Sequence, residues 1–232
     1  MSVTILQYEN RVLDCTEKLM SRNQLYCERH GYRYVRPTGT YSMSPYWIKV
    51  ALVKQWMDSG TDYLAWFDSD AVVHQQSTRI EDLFDKHDML ISYDYGDLRN
   101  LGRYVANTGV FLFRVNANTR RLVQEWWNGY KPERWYQVQG TWKTEGKWAG
   151  PDYEQGYFNT TIVPKFHDSI QILDPERLDD QSLFPSAETF SCHFCYPSKK
   201  ESAIPLYLIA TRKYELLMWV AILGWLVASY KK

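Results

Sequence analysis

The chain has 232 residues, with 27 basic and 27 acidic side chains and a formal net charge of +0. This length accommodates one α/β domain with a sizeable core, and a balanced charge without a basic stripe argues against nucleic-acid binding. Four cysteines are too few for a disulfide scaffold in a chain of this size. Because the first ten residues also lack the basic and apolar parts of a secretory signal, we expect a cytoplasmic protein.

Strand-like and helix-like patterns alternate along the chain. The first strand ends in polar Glu9 and Asn10, and the helix after it stops at Gly31, because glycine commonly ends helices. The predicted elements are strands over residues 3–8, 32–35, 63–68, 88–93 and 110–115, and helices over residues 12–30, 47–57 and 116–130. This order predicts an α/β fold in which a mostly parallel, mixed sheet is flanked by helices.

Two later segments lack this clear alternation. Lys131 to Pro151 is rich in Gly, Trp, Lys and Glu, and we interpret it as a mobile active-site loop or, alternatively, a plain surface excursion. Leu216 to Ser229 is almost wholly apolar but shorter than the roughly 20 residues that span a bilayer as a helix. A buried helix, an interfacial helix and a truncated membrane segment all stay open. We therefore divide the chain into a domain over residues 1–205 and an apolar C-terminal helix over 206–232, with expected membrane-surface contact.

Two carboxylates lie one residue apart where the third strand ends. The run from Tyr63 to Phe67 is typical of a buried strand, and it delivers Asp68 and Asp70 to its end. Alternate residues of an extended chain point the same way, so both acids can bind one divalent cation. Carboxylate oxygens suit Mn²⁺ or Mg²⁺, which keep open positions for substrate phosphates. The pattern predicts a metal centre for a nucleotide diphosphate.

Other polar residues also fall at predicted strand ends. Ligands of such sheets bind beyond the carboxyl ends of the strands, so Asn10 and Asp94 are expected to converge on Asp68 and Asp70. On the same fold-level reasoning, the end of the first strand is expected to hold the base and ribose of a nucleotide through Gln7, Tyr8 and Asn10.

Several motifs together resemble one enzyme family. They are Trp-Ile-Lys at 47–49, Trp-Phe-Asp-Ser-Asp-Ala at 66–71, Asn-Thr-Gly-Val-Phe-Leu-Phe-Arg at 107–114 and the helix-to-strand corner at 26–32. This combination resembles the galactosyl-, mannosyl- and xylosyltransferases of fungi and plants, and also small viral glycosyltransferases that build capsid glycans. The resemblance extends in patches from Gln24 to Phe194. It implies a GT-A fold with a metal-binding DXD motif, and transfer of a sugar from a nucleotide diphosphate, with UDP favoured, to a glycan or glycoprotein.

The resemblance also implies roles for individual residues. Asp68 and Asp70 are expected to bind Mn²⁺ (or Mg²⁺) together with the diphosphate, and His193 is the candidate third protein ligand. The remaining candidates for the donor site are Lys49, Ser69, Asp94, Asn107 and Lys199, with Lys200 as an alternative to Lys199. Asn107 and Asp94 are expected to contact the donor sugar, because an amide both donates and accepts, and the lysines are expected to contact phosphate.

The segment from Gly150 to Phe158 resembles an acidic, Gln-containing segment that opens a helix on the acceptor side. Asp152 or Glu154 is then a general base if the enzyme inverts configuration, and otherwise orients the sugar. Gln155 is the third candidate catalytic residue. Tyr153 separates the two acids, so the sequence leaves open which of them acts, and simple helix capping is the alternative.

Two other functions fit parts of the sequence. Phe67 to Val72 also satisfies the first motif of haloacid-dehalogenase-type phosphatases, in which the two acids are nucleophile and general acid. Such enzymes usually carry this motif on their first strand and a later acid pair directly after a hydrophobic strand. Here other predicted elements precede the motif, and the pair Asp179 and Asp180 follows the polar segment from Pro175 to Arg177. A non-catalytic carbohydrate-binding protein would use the 10 Trp and 18 Tyr residues without a metal. The sugar, the acceptor and the stereochemical outcome stay open.

Overall fold

The computed structural model describes residues 1–11, 13–94, 105–182, 185–195 and 203–211. The apolar segment Leu216 to Ser229 and the candidate phosphate ligands Lys199 and Lys200 lie outside these residues. Within the described ranges, every helix is too short or too polar to cross a membrane.

A six-stranded sheet forms the centre of the molecule, in the order β2-β1-β3-β6-β5-β9. Its strands are β1 (Val3–Tyr8), β2 (Arg33–Val35), β3 (Tyr63–Asp68), β5 (Met89–Tyr93), β6 (Ala106–Arg114) and β9 (Ile170–Leu173). β6 pairs antiparallel with both β3 and β5, while the β1–β2, β1–β3 and β5–β9 pairs are parallel. Five strands therefore share one direction, and the predicted mostly parallel, mixed sheet is confirmed.

The helices cover both faces of this sheet. They are α1 (Asp14–His30), α2 (Pro45–Trp56), α3 (Ala117–Trp127), the short α4 (Glu154–Tyr157), α5 (Val163–Lys165) and α6 (Pro175–Leu178), and a helix α7 over residues 203–211. α1 ends as predicted at Gly31, which has φ 69°. α3 begins at a capping box in which the Asn116 side chain accepts the backbone N–H of Thr119 and the Thr119 hydroxyl accepts the N–H of Asn116.

Alternating residues of the central strands supply two separate cores. In β3, Leu64 and Trp66 face the core beneath α2 and α3, whereas Ala65 and Phe67 face the core that contains Tyr26 of α1. This period-two alternation explains why the strand is apolar throughout, since both of its faces are covered.

A second, three-stranded sheet stands beside the main one, in the order β10-β11-β4. Its strands are β4 (Ala71–Val73), β10 (Asp179–Asp180) and β11 (Ser191–His193). Cys192 of β11 and Val72 of β4 pack in one buried cluster with Ile204 and Tyr207 of α7. The start of the C-terminal region thus belongs to the packed domain.

The segment from Lys131 to Pro151, which we expected to be a mobile loop, contains regular structure. A 3₁₀ turn at Pro132–Arg134 is followed by a hairpin of β7 (Tyr136–Val138) and β8 (Thr141–Lys143). The hairpin turns at Gln139 and Gly140, which have φ 49° and 76°. Positive φ at both turn residues is the geometry that joins two-residue hairpins.

Candidate active site

The two aspartates lie at the carboxyl end of β3, in the turn between β3 and β4. Asp68 is the last residue of β3, and after Asp70 the chain reverses into β4. β4 pairs antiparallel with β11, in a register that sets Ala71 opposite His193. The topology therefore brings the predicted third ligand, from far along the chain, to the acid pair.

Each of Asp68, Asp70 and His193 offers one ligand atom within 4.8 Å of the other two. The Nε2 atom of His193 lies 3.4 Å from Oδ1 of Asp70 and 4.0 Å from Oδ2 of Asp68. Atoms that bind one ion at about 2.1 Å lie at most about 4.2 Å apart, so a small closure completes the set. Two carboxylates and an imidazole suit Mn²⁺, and the side chain of Asp68 is 29% exposed, which leaves an approach from solvent.

Behind His193 lies a third carboxylate. Oδ2 of Asp179 is 3.2 Å from Nδ1 of His193, and both side chains are buried. Burial lowers the pKa of His193, but Asp179 and Asp70 outweigh it and raise that pKa well above its usual range. Burial raises the pKa of Asp179.

Buried hydrogen bonds hold the backbone of the turn that carries Asp68 and Asp70. The fully buried Gln7 amide donates to the carbonyl oxygens of Asp68 at 3.0 Å and Ala71 at 3.2 Å. Its oxygen accepts from Asn23 at 2.9 Å and from the Tyr34 hydroxyl at 2.9 Å. Gln7 thus holds in place the backbone that carries Asp68, and its expected contact with base and ribose stays a prediction.

Lys49 is a buried cation between two of the candidate acids. Its Nζ lies 2.8 Å from Oδ1 of Asp68 and 3.5 Å from Oε1 of Glu154, and it donates to the carbonyl oxygen of Thr108 at 2.9 Å. Although burial lowers the pKa of Lys49, the two carboxylates raise it. Lys49 is therefore a charged, buried group within the site, and its contact with phosphate stays a prediction.

The structure separates the three candidates on the acceptor side. Glu154 is buried, and its Oε1 accepts from the Thr108 hydroxyl at 3.1 Å; Gln155 accepts from the Thr108 backbone N–H at 3.1 Å. Asp152 instead accepts from Thr144 at 3.0 Å and lies 3.4 Å from Nε of Arg134. Burial raises the pKa of Glu154, while Lys49 opposes that rise. Glu154 and Gln155 lie with the metal-site residues, whereas Asp152 anchors the segment that contains the hairpin.

The start of β6 reaches the same edge of the sheet because β6 runs opposite to its neighbours. Asn107 is buried, donates to Oδ2 of Asp94 at 3.0 Å and accepts from the N–H of Gly109 at 2.8 Å. The Asn159 side chain both donates to and accepts from the backbone of Ala106. The predicted Asn107 and Asp94 are thus brought together, and their contact with a donor sugar stays a prediction.

The end of β1 contributes a smaller set of contacts. The Ser69 hydroxyl donates to Glu9 at 2.7 Å, and Glu9 also pairs with Arg11 at 2.8 Å. Tyr8 donates to the carbonyl oxygen of Gly39 at 2.8 Å, and Asn10 is exposed. Burial raises the pKa of Glu9, but the hydrogen bonds from Arg11 and Ser69 lower it overall. Glu9 is therefore ionised, and its carboxylate accepts the hydrogen bond from Ser69.

Four rings form an aromatic cluster next to Glu154. They are Tyr46, Trp135, Trp148 and Tyr153, with centroid distances of 4.9 Å for Tyr46–Tyr153 and 5.0 Å for Trp148–Tyr153. Trp148 is 71% exposed. An exposed indole that stands on other rings offers a flat apolar surface with polar edges.

Sequence reasoning missed four contributors, namely Glu9, Thr108, Gly109 and Asp179. Thr108 and Gly109 lie inside the recognised motif at 107–114, and Glu9 lies at the predicted end of the first strand, so their positions were the available signal. Asp179 was considered only as part of a phosphatase acid pair.

Comparison with known proteins adds to this geometry. The model of the galactosyl transferase GMA12/MNN10 family matches residues 3–98, which include Lys49 and both aspartates. A glycosyltransferase involved in the glycosylation of the major capsid of PBCV-1 superposes with a TM-score of 0.67 at 16% identity, covering 88% of this chain and 100% of that one. The structural match shows a shared fold, and the family match over residues 3–98 supports a glycosyltransferase, an enzyme that transfers a sugar.

Two further comparisons add little. The protein A197 from STIV matches with a TM-score of 0.41 at 12% identity, covering 75% of this chain and 82% of that one, which is too distant to carry an argument. A sequence comparison with curated proteins gives no significant match.

Proposed function

We propose that this enzyme transfers a sugar from a nucleotide diphosphate, with UDP favoured by resemblance, to a glycan or glycoconjugate, with a divalent cation held by Asp68, Asp70 and His193. The observation that carries the proposal is the convergence of these three ligand atoms within 4.8 Å at the end of β3. In sheets of this kind that edge is where ligands bind. A nucleotide-sugar donor also agrees with the matching family model.

When bound, Mn²⁺ or Mg²⁺ stabilises the negative charge that develops on the departing diphosphate. Residues of the chain fix the geometry and charge of the site where the diphosphate would bind. Gln7 fixes the backbone that carries the two aspartates. Lys49 balances Asp68 and Glu154, so the site is held by fixed charges and does not reorganise when the leaving group departs.

Glu154 is the acid that we assign to the acceptor side, in preference to Asp152. Burial raises the pKa of Glu154, and its buried carboxylate, which accepts a hydrogen bond from Thr108, suits a group that takes a proton from a substrate. In an inverting enzyme Glu154 takes the proton of the acceptor hydroxyl. In a retaining enzyme the same group, with Gln155, orients the sugar.

The aromatic cluster supports a carbohydrate acceptor. Tyr153 precedes Glu154 directly and joins Trp148 to Tyr46. Sugar rings have flat apolar faces and a rim of hydroxyl groups, which match the exposed Trp148 ring and its polar edge. We therefore place a sugar of the acceptor on Trp148.

The test is a titration of UDP by calorimetry with and without Mn²⁺, followed by a panel of nucleotide sugars. We expect Mn²⁺-dependent binding of UDP and slow release of free sugar from one donor. Asp70→Ala should abolish both, whereas the exposed Asp168→Ala should change neither. Release of inorganic phosphate in place of free sugar would favour the haloacid-dehalogenase-type alternative, and metal-independent sugar binding would favour the non-catalytic one.

A further inference from the structure

We propose that Asp179 is a positioning residue of the metal site: it holds Nδ1–H of His193, so that Nε2 is presented to the cation with its lone pair free. This inference rests on the proposed function, because it assumes that His193 is a ligand. It concerns a residue that touches neither the cation nor a substrate.

The pairing of two short strands fixes the contact. β10 runs parallel to β11, with Asp179 opposite Ser191. Because side chains two apart in a strand share a face, His193 lies on the same side as Ser191 and within reach of Asp179. The Ser191 hydroxyl donates to the carbonyl oxygen of Leu178 at 2.7 Å and also lies within hydrogen-bond distance of Oδ1 of Asp179, at 3.1 Å, while Oδ2 of Asp179 lies 3.2 Å from Nδ1 of His193. Both carboxylate oxygens thus have a defined partner.

The backbone of β6 also lies against this ring, at Gly109. A Cβ added to Gly109 would lie 2.0 Å from Cε1 and 2.5 Å from Nδ1 of His193. The imidazole therefore lies directly against a glycine on one side and hydrogen-bonds to Asp179 at one nitrogen. This leaves Nε2 directed at Asp70, 3.4 Å away, and Asp68, 4.0 Å away.

The chemistry explains why a carboxylate is placed there. A neutral imidazole carries one N–H, and it binds a metal only through the other nitrogen. A buried carboxylate at Nδ1 selects the tautomer with a free Nε2 and makes that nitrogen a stronger ligand. Asp179 is 0% exposed, so water does not compete for this hydrogen bond. A carboxylate kept in such a place costs stability unless it is paired.

The experiment compares Mn²⁺ affinity in wild-type protein, Asp179→Asn and Asp180→Asn, measured by calorimetry and by the electron paramagnetic resonance signal of free Mn²⁺. Asp180 is the matched control, because it is the next residue of the same strand, 3% exposed, and accepts instead from the N–H of Ser182 at 2.7 Å. Loss of such a supporting group weakens metal binding by about 10- to 100-fold. We expect that loss for Asp179→Asn and an unchanged affinity for Asp180→Asn.

Two readings separate positioning from a purely structural role. In Asp179→Asn, the Mn²⁺ concentration for half-maximal sugar release should rise, while the rate at saturating Mn²⁺ should return to near the wild-type value. Ser191→Ala, which removes the hydroxyl shared between the carbonyl oxygen of Leu178 and the carboxylate of Asp179, should weaken Mn²⁺ binding in the same direction, and it is the second variant if Asp179→Asn does not fold.

Equal Mn²⁺ affinities for wild-type protein and Asp179→Asn would overturn the inference, as would equal losses in Asp179→Asn and Asp180→Asn. If wild-type protein binds no divalent cation, the proposed function fails instead. The two failures are thus distinguished by the wild-type titration alone.

Discussion

Replacing Gly109 with Ala should remove His193 from the metal site. The added Cβ would lie 2.0 Å from Cε1 of His193, whereas carbon atoms pack at about 3.5–4.0 Å. The ring must therefore move by about 1.5 Å, which breaks its contacts with Asp179 at 3.2 Å and Asp70 at 3.4 Å. Since Gly109 lies inside a β-strand and has no positive φ, its backbone accepts alanine, and the effect is steric.

The expected magnitudes follow from the same contacts. Overpacking costs about 1–3 kcal/mol, and each lost hydrogen bond to a charged group costs about 1.5–3 kcal/mol. The reduced freedom of the unfolded chain returns about 0.4–1 kcal/mol. Because relaxation recovers part of these losses, we expect a net destabilisation of about 2–4 kcal/mol. The Mn²⁺ dissociation constant should rise by more than the roughly 100-fold that marks the loss of a supporting residue.

The assay is urea unfolding together with Mn²⁺ calorimetry, and Gly129→Ala is the control. A Cβ at Gly129 would lie 2.4 Å from Cδ1 of Tyr157, so this variant suffers a similar overlap with a ring that is not a metal ligand. We expect similar destabilisation in both variants but loss of Mn²⁺ affinity only in Gly109→Ala. If the Mn²⁺ affinity of Gly109→Ala lies within threefold of that of Gly129→Ala, Gly109 does not set the position of His193.

The acceptor side gives two further predictions. Glu154→Gln should lower the rate of sugar transfer at least about 100-fold with UDP affinity retained, because a neutral amide takes no proton. Asp152→Asn should lower that rate less than tenfold. Equal transfer rates in the two variants, measured with saturating donor, would contradict the assignment of Glu154. Trp148→Ala should raise the acceptor KM by about 5- to 10-fold, the equivalent of about 1 kcal/mol of ring stacking. Donor hydrolysis should stay unchanged, because Trp148 is 71% exposed. An unchanged acceptor KM would contradict the placement of an acceptor sugar on Trp148.

The features that could be predicted from the sequence are those encoded locally. The apolar run before Asp68 specifies a strand covered on both faces, and the spacing of Asp68 and Asp70 places both acids at its end. Helix ends such as Gly31 have chemical signals of their own. His193 was found through resemblance, because nothing in its immediate neighbours marks it as a ligand.

The features that escaped prediction depend on distant pairings. β10 has two residues and β11 has three, too few to show a period, and their pairing alone sets Asp179 beside His193. The start of β6 was missed because Asn107 and Thr108 are polar strand residues that face the candidate site, so the apolar signal begins only at Val110. β7 is exposed along its whole length, which removes the alternation that reveals a strand.

The antiparallel contact of β4 with β11 divides the metal centre between the two halves of the chain. A nascent polypeptide that has emerged only as far as β6 holds the aspartates but lacks the imidazole, so the three candidate ligands meet only after β11 has been made. Mn²⁺ added to the folded protein should then stabilise β11, slowing amide hydrogen exchange in residues 191–193 more than in β1.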